Sequence, residues 1–452
     1  MPNMTDYLAL RGDITLAERP FNDVDNLALS TLSYIRLAGI APGLGENRAV
    51  TVREACTELL SRAAGDITPY VFSAARVDIP FLEALAATDR LGFAPVHDCV
   101  DVIDEARSLQ FSAMCVDVSP TETYVAFRGT DSSLVGWRED FMLSFEVTDA
   151  QTMAAEYLER VVRQAGVRPT GGRRVSVYVG GHSKGGNLAA YAAAKLPEEL
   201  RPLIARVWSN DGPGLAKEVM PESAYHTFGE RFVRLQPAYS IVGQLFDDPE
   251  EPRTYVASSA TDALEHDPMT WQVTSTGFVS AGALDPRARV LDDALARWVD
   301  GVALEDREVF TNQLFDALGA GGATTFNEIL TSPQMAAKTL ASMGNLPDFT
   351  RQLLMELLSS YATDAMRAAY ETGVDRLVST FNRREESRPH WLATVAPITL
   401  GTLRPTDAAD AGASGLEAGG AFDEGGDQRD DERANQGGPE AGNGDARAEE
   451  VE

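Results

Sequence analysis

A strand that runs straight into a glycine-framed serine, and from there into a helix, constrains this chain more than any other feature. Val175, Val177 and Val179 form an apolar alternation that ends at Gly181-His182-Ser183-Lys184-Gly185, and Leu188 to Lys195 is rich in strong helix formers. A serine at such a turn sits in a strained backbone conformation, so the residues two before and two after it must be small. Gly181 and Gly185 meet that demand. The strain presents the hydroxyl at a helix N-terminus, where free amides and the helix dipole favour an oxyanion. Ser183 is therefore the candidate nucleophile, and a purely structural glycine-rich turn is the alternative.

The pattern on either side agrees with a layered α/β chain. The first ninety residues read as mostly helical: Asn22 or Asp23 caps a helix through Ile35, Thr51 opens a second with capping-box spacing to Glu54, and Pro80 starts a third whose expected stop is Gly92. From Gln110 the periodicity changes. Phe111 to Val118, a turn at Ser119-Pro120, and Tyr124 to Phe127 predict a hairpin, with Phe127-Arg128-Gly129-Thr130 at its end. A helix over 150–164, the serine-bearing strand and helix, and short strands near 207–210, 232–235 and 255–258 follow. Strands alternating with helices imply a mostly parallel sheet.

Taken together, Ala126-Phe127-Arg128-Gly129-Thr130, Trp137, Asp140 and Gly181-His182-Ser183-Lys184-Gly185 resemble the class 3 (fungal-type) lipase branch of the α/β hydrolases. With Asn22 to Leu27, Asn210-Asp211-Gly212-Pro213-Gly214 and His266-Asp267-Pro268, the chain resembles more closely an uncharacterised bacterial family of lipase-like hydrolases, over about residues 5 to 315. The resemblance implies an α/β-hydrolase fold and a serine hydrolase plan without an established substrate.

Such chemistry needs a base, a carboxylate to orient it and donors for the oxyanion. Of the five histidines, His97 is expected to precede the sheet, His226 lies before the 232–235 strand, His390 falls in the C-terminal helical region, and His182 adjoins the serine and should point away from its hydroxyl. His266 follows the last candidate strand, where the chain order serine, acid, histidine places the base. The acid is less direct. Class 3 lipases carry it just after the strand that here is 232–235, yet Gln236 to Val242 holds no carboxylate. Asp211 is the best substitute, with Asp247 or Asp248, or a structural role for Asp211 as an Asx turn, left open. The backbone amide of Lys184 is one expected oxyanion donor, and the resemblance selects Thr130 for the other, with Arg128 and Asp140 bracing that turn. A cation at a helix N-terminus opposes the dipole, so the Lys184 side chain is read either as a surface salt bridge or as a contact for an anionic substrate group.

The net charge of −29 argues against nucleic acid or an anionic membrane surface as a general partner. Cys56, Cys99 and Cys115 lack metal-ligand spacing and read as buried free thiols; no metal or cofactor is expected. Without an apolar leader or a run of about 18 apolar residues, a cytoplasmic setting is the expectation. Residues 1–284 are assigned to the hydrolase domain, 285–402 to a helical extension that is either an appendage on the hydrolase core or a lid or partner surface, and 403–452 to a disordered acidic tail. The expected activity is hydrolysis of a lipid-like or small carboxylic ester, with a thioesterase or a catalytically silent binding domain as alternatives. The tail holds 14 acidic and 4 basic residues and one aromatic residue, Phe422, too little apolar surface to offset the entropy of ordering. Deleting 403–452 should leave the melting temperature unchanged; a loss of several degrees in a calorimetric scan would show that the tail is docked.

Overall fold

The computed structural model describes residues 2–346 apart from 73–75, 132, 168–174, 222–223, 247, 249, 290–302, 326–327, 330–331, 343 and 345. The helices expected over 292–299 and 349–381, His390 and the acidic tail lie outside the described residues.

Among the described residues eight strands form one sheet in chain order: β1 (Val50–Thr51), β2 (Pro95–Asp104), β3 (Leu109–Ser119), β4 (Glu122–Phe127), β5 (Ser176–His182), β6 (Ile204–Asn210), β7 (Phe232–Pro237) and β8 (Thr254–Val256). Strands β1 to β4 pair antiparallel and β4 to β8 pair parallel. A tight turn suffices between β3 and β4, whereas each later parallel step needs a crossover. Helices α5 (Leu134–Met142) and α6 (Asp149–Gly166) supply the crossover into β5, and α7 (Lys184–Lys195) the next.

Period-two alternation sorts the strands between two apolar layers. Met114, Val116, Tyr124 and Ala126 pack with the N-terminal helices α1 (Met4–Arg11), α2 (Asp23–Leu32), α3 (Val52–Ala63) and α4 (Ile79–Ala87). Ala113, Cys115, Val125, Phe127, Val177 and Val179 pack with α6 and α7. Both faces of the sheet are therefore covered.

The helices start where the caps predict. Asn22 and Thr51 each close a capping box, and Asp78 caps α4 ahead of Pro80. Their ends fall short of the expectations. α2 stops at Leu32, and Ile35 instead bridges Val71; α4 stops at Ala87, where Thr88 turns extended well before Gly92. The sheet also begins earlier than the hairpin expected from Phe111, because β1 and β2 precede it. His97 lies within β2 rather than ahead of the sheet. β2 is only half-buried along most of its length and carries Asp98, Asp101 and Asp104, so its apolar alternation is diluted.

Helix α2 reaches the heart of the sheet. A Cβ on Gly180 would lie 2.5 Å from the Asn26 side-chain oxygen, so glycine in β5 allows the helix to approach this closely. Asn26 Nδ2 then donates to Asn210 Oδ1 at 2.9 Å, at the end of β6. The buried Asp25 one position earlier accepts from Arg90 Nε at 2.7 Å, tying α2 to the segment after α4. Within the helical region after 285, the helix Leu304–Gly319 packs on α5, with Phe315 against Phe141 at 5.5 Å and Arg307 Nη1 donating to the Ser144 carbonyl at 2.8 Å. Among the described residues no helix is long and apolar enough to cross a membrane.

Candidate active site

Ser183 follows β5 directly and has φ 58° and ψ −133°, a left-handed backbone that a non-glycine residue adopts only under constraint. The constraint is contact between main chains. A Cβ on Gly181 would lie 2.3 Å from the Gly185 carbonyl, and one on Gly185 would lie 2.2 Å from the Phe127 carbonyl oxygen. The Arg128-Gly129-Thr130 turn presses on the same point, since a Cβ on Gly129 would be 2.4 Å from the His182 carbonyl oxygen and 3.0 Å from Ser183 Cβ. β4, β5 and the start of α7 thus converge at one serine.

Asp211 follows β6 as Ser183 follows β5, because the parallel register pairs His182 with Asn210. Asp211 is fully buried and has φ 48°. Its Oδ2 lies 2.6 Å from His266 Nδ1, and its Oδ1 accepts a hydrogen bond from Ser240 Oγ. Ser240 Oγ itself accepts from the Gly243 amide at 3.1 Å, so its proton is directed at Asp211. The carboxylate therefore holds the proton of His266 on Nδ1, which leaves Nε2 as the basic nitrogen. Ser240 stands in the stretch where the lipase pattern places a carboxylate, and it supplies a second donor to Asp211, which follows the preceding strand. Asp248 pairs instead with His226, at 3.7 Å, and Asp247 lies outside the described residues.

The loop carrying His266 is fixed from beneath by His182. His182 Nε2 lies 2.8 Å from the His266 carbonyl oxygen and must donate to it, so Nδ1 accepts from the Tyr34 hydroxyl, also at 2.8 Å. The two imidazole rings pack against each other at a tilt of 37°, with centroids 4.6 Å apart. Burial, reinforced by the neighbouring His266, holds the His182 pKa well below the ordinary histidine value, so the ring stays neutral. Tyr34 had no signal in the sequence. Only the burial of its hydroxyl beside the serine turn reveals its role.

Thr130 Oγ1 donates to Asp140 Oδ2 at 2.6 Å. Lys184 departs from both sequence readings, since its side chain is fully buried and meets neither solvent nor an open site. Its ammonium is 2.6 Å from Glu139 Oε2 and donates to the Gln110 carbonyl at 2.9 Å. The aliphatic stem thus takes the charge away from the start of α7 to the carboxylate of Glu139 on α5.

The described side chains that lie close enough to share a metal ion are His97, Asp98 and Cys115, on paired strands β2 and β3. Each already has a partner. His97 Nδ1 meets Asp98 Oδ2 at 2.7 Å, its Nε2 lies 3.3 Å from Asp117, and Cys115 Sγ is 3.2 Å from the Tyr157 hydroxyl. Cys56 and Cys115 are buried as expected, but Cys99 is half-buried because it sits on the irregular stretch of β2. A cavity of about 390 Å³ lined in part by Arg36, Cys99, Asp101 and Ser112 includes none of Ser183, Asp211 and His266.

A mostly parallel sheet covered on both faces, with its serine on a strand-to-helix turn, defines a lipase-like fold of the α/β-hydrolase kind. The chain belongs to the Mbeg1-like family, a lipase-like family whose profile matches residues 85–316, more than half of its length. Among solved structures it is similar to the lipase–propeptide complex of Rhizomucor miehei, with 17% identity over 52% of this chain and 76% of that one and a TM-score of 0.30. Lipase II of Rhizopus niveus is 15% identical over 52% and 89% of the two chains with a TM-score of 0.30, and the lipase of Rhizopus microsporus var. chinensis 15% over 57% and 92% with 0.28. Likeness at this level assigns no residue its role. No curated protein matches the chain in sequence.

Burial pushes the Asp140 carboxyl up to about 7, partly offset by the Lys184 charge and the Thr130 hydrogen bond. The folded state thus holds this proton more tightly than the unfolded state, a stabilisation complete below about pH 4 and lost as pH rises to about 7. Asp140→Asn, neutral throughout, should gain stability over the wild type at pH 8, by at most about 4 kcal/mol, and lose that advantage at pH 4. Thermal melts at the two pH values test this, and an identical gap at both would refute it.

Proposed function

We propose that this protein is a serine hydrolase that cleaves a carboxylic ester, lipid-like or small, with Ser183 as nucleophile, His266 as base and Asp211 as the orienting acid. The observation that carries this reading is the 2.6 Å contact of Asp211 Oδ2 with His266 Nδ1, at the carboxyl end of the strand next to the strained Ser183. A buried aspartate in left-handed conformation with a histidine and a serine both donating to it is costly as a turn residue alone, and useful as an orienting acid.

In this scheme Ser183 Oγ attacks the ester carbonyl while His266 Nε2 takes its proton, and the imidazolium so formed is stabilised by Asp211. The carbonyl oxygen becomes an oxyanion, met by the backbone amide of Lys184 and by Thr130. Collapse expels the alcohol, which receives the proton from His266. Water then repeats the sequence on the acyl-serine and releases the acid. The reaction needs no cofactor.

An alkyl fluorophosphonate should label wild-type Ser183 and leave Ser183→Ala unlabelled, because only an activated serine attacks the reagent. Asp211→Asn should keep the fold and lower kcat by a factor on the order of 10⁴, whereas Ser240→Ala, which removes the second donor to Asp211 and the acceptor of the Gly243 amide, should cost about tenfold. Mass spectrometry of the labelled protein and steady-state hydrolysis of p-nitrophenyl butyrate read both. Wild-type protein that neither labels nor turns over would favour a hydrolase-fold binding domain instead.

A further inference from the structure

Lys184 places a cation in the first turn of α7, where the helix dipole disfavours it, and buries the side chain completely. A methionine or leucine would fill such a site without desolvating a charge, and buried ion pairs seldom stabilise a fold better than apolar packing does. The Lys184 ammonium has three donors and three acceptors, Glu139 Oε2 at 2.6 Å, the Gln110 carbonyl at 2.9 Å and Gln110 Oε1 at 3.2 Å. With every donor engaged inside the protein, it has none to offer a substrate anion.

The contacts lead somewhere specific. Gln110 Oε1 also accepts the Asp131 amide at 3.3 Å, and Glu139 Oε2 also accepts the Gln110 amide at 3.2 Å. The network therefore runs from the residue after the nucleophile to the residue after Thr130. Its far end is packed without slack, since a Cβ on Gly136 would lie 2.8 Å from Thr130 Cγ2, 2.9 Å from Gln110 Oε1 and 3.0 Å from Asp131 Oδ1. Within the hydrolase reading of Ser183, on which this inference rests, Lys184 and Thr130 supply the two donors to the oxyanion.

We propose that the Lys184 side chain is a positioning residue: through a buried latch to Glu139 and Gln110 it fixes the spacing between its own backbone amide and the Thr130 turn, and so sets the oxyanion hole. The two donors come from different crossovers, one at the start of α7 and one ahead of α5, and the latch is a directional tie between them. Donors held in place before the reaction stabilise the oxyanion without reorganising, whereas donors free to drift lose that advantage over distances well below 1 Å. The latch should act on the transition state and leave ground-state binding alone.

The test uses the full chain with p-nitrophenyl butyrate as substrate and an alkyl trifluoromethyl ketone, which forms a hemiketal oxyanion on an active serine, as transition-state analogue. The paired variant Lys184→Met with Glu139→Gln removes both charges of the ion pair, so the Glu139 carboxylate is not left buried without its cation. It should keep its melting temperature within a few degrees, keep KM within about threefold, and lose about 10- to 100-fold in both kcat and ketone affinity. Gln110→Leu leaves the ion pair and the Gln110 carbonyl contact in place and removes the Oε1 acceptor that Lys184 shares with the Asp131 amide, and should lose about tenfold in the same two quantities with KM unchanged. A folded Gln110→Leu protein with wild-type kcat and ketone affinity, or an equal loss in KM and ketone binding, would overturn the latch. Wild-type protein in which Ser183 resists fluorophosphonate would bring down the hydrolase reading and the latch with it, which separates the two failures.

Discussion

Everything at the centre of this molecule depends on main chain touching main chain at the serine turn. Gly181 passes Gly185 with no room for a methyl group between them, and Gly185 in turn lies against the last carbonyl of β4. That contact fixes the level at which β4 and β5 end. The parallel register carries the same level to β6, so the Arg128 turn, Ser183 and Asp211 leave three adjacent strands side by side. Two of those three exits use a left-handed backbone at a residue with a side chain, and the surrounding sheet must hold both.

The polar groups beneath these exits form a buried, hydrogen-bonded support. His182 is kept neutral so that it can donate to the carbonyl of His266 and accept from Tyr34. Asn26 joins α2 to the strand that presents Asp211, and Arg234 behind that strand donates to the Gly243 carbonyl and to Glu251. Charges withdrawn from water cost more than they return unless their geometry is fixed. Here they are concentrated around the loops whose positions matter.

Much of this was legible in the chain. The strand-turn-helix at Ser183 is a local pattern, and local patterns survive folding because glycine, β-branched and helix-forming residues act on their own neighbours. The caps at Asn22 and Thr51 are legible for the same reason. Other features depend on distant residues. β2 reads as irregular because it is half-exposed and acidic, and its strand character comes from pairing with β3. The partner of His266 was ambiguous because several carboxylates follow the nucleophile in the chain, and only the register brings Asp211 to it. Lys184 was conspicuous as an oddity, yet its destination could not be read, since Glu139 lies 45 residues earlier on another crossover.

The tie between Asn26 and Asn210 sets a limit on how the family resemblance relates to a foldable piece. The matched segment starts at residue 85, after α1, α2 and α3 have already been laid down. Those helices supply one of the two apolar layers and close over Gly180, Tyr124 and Trp208. A chain begun at residue 85 would leave one face of the sheet uncovered and Asn210 without its amide partner, next to the residue that holds His266. The segment that identifies the family is thus shorter than the cooperative unit, and the N-terminal helices belong to the architecture of the site although the family profile does not reach them.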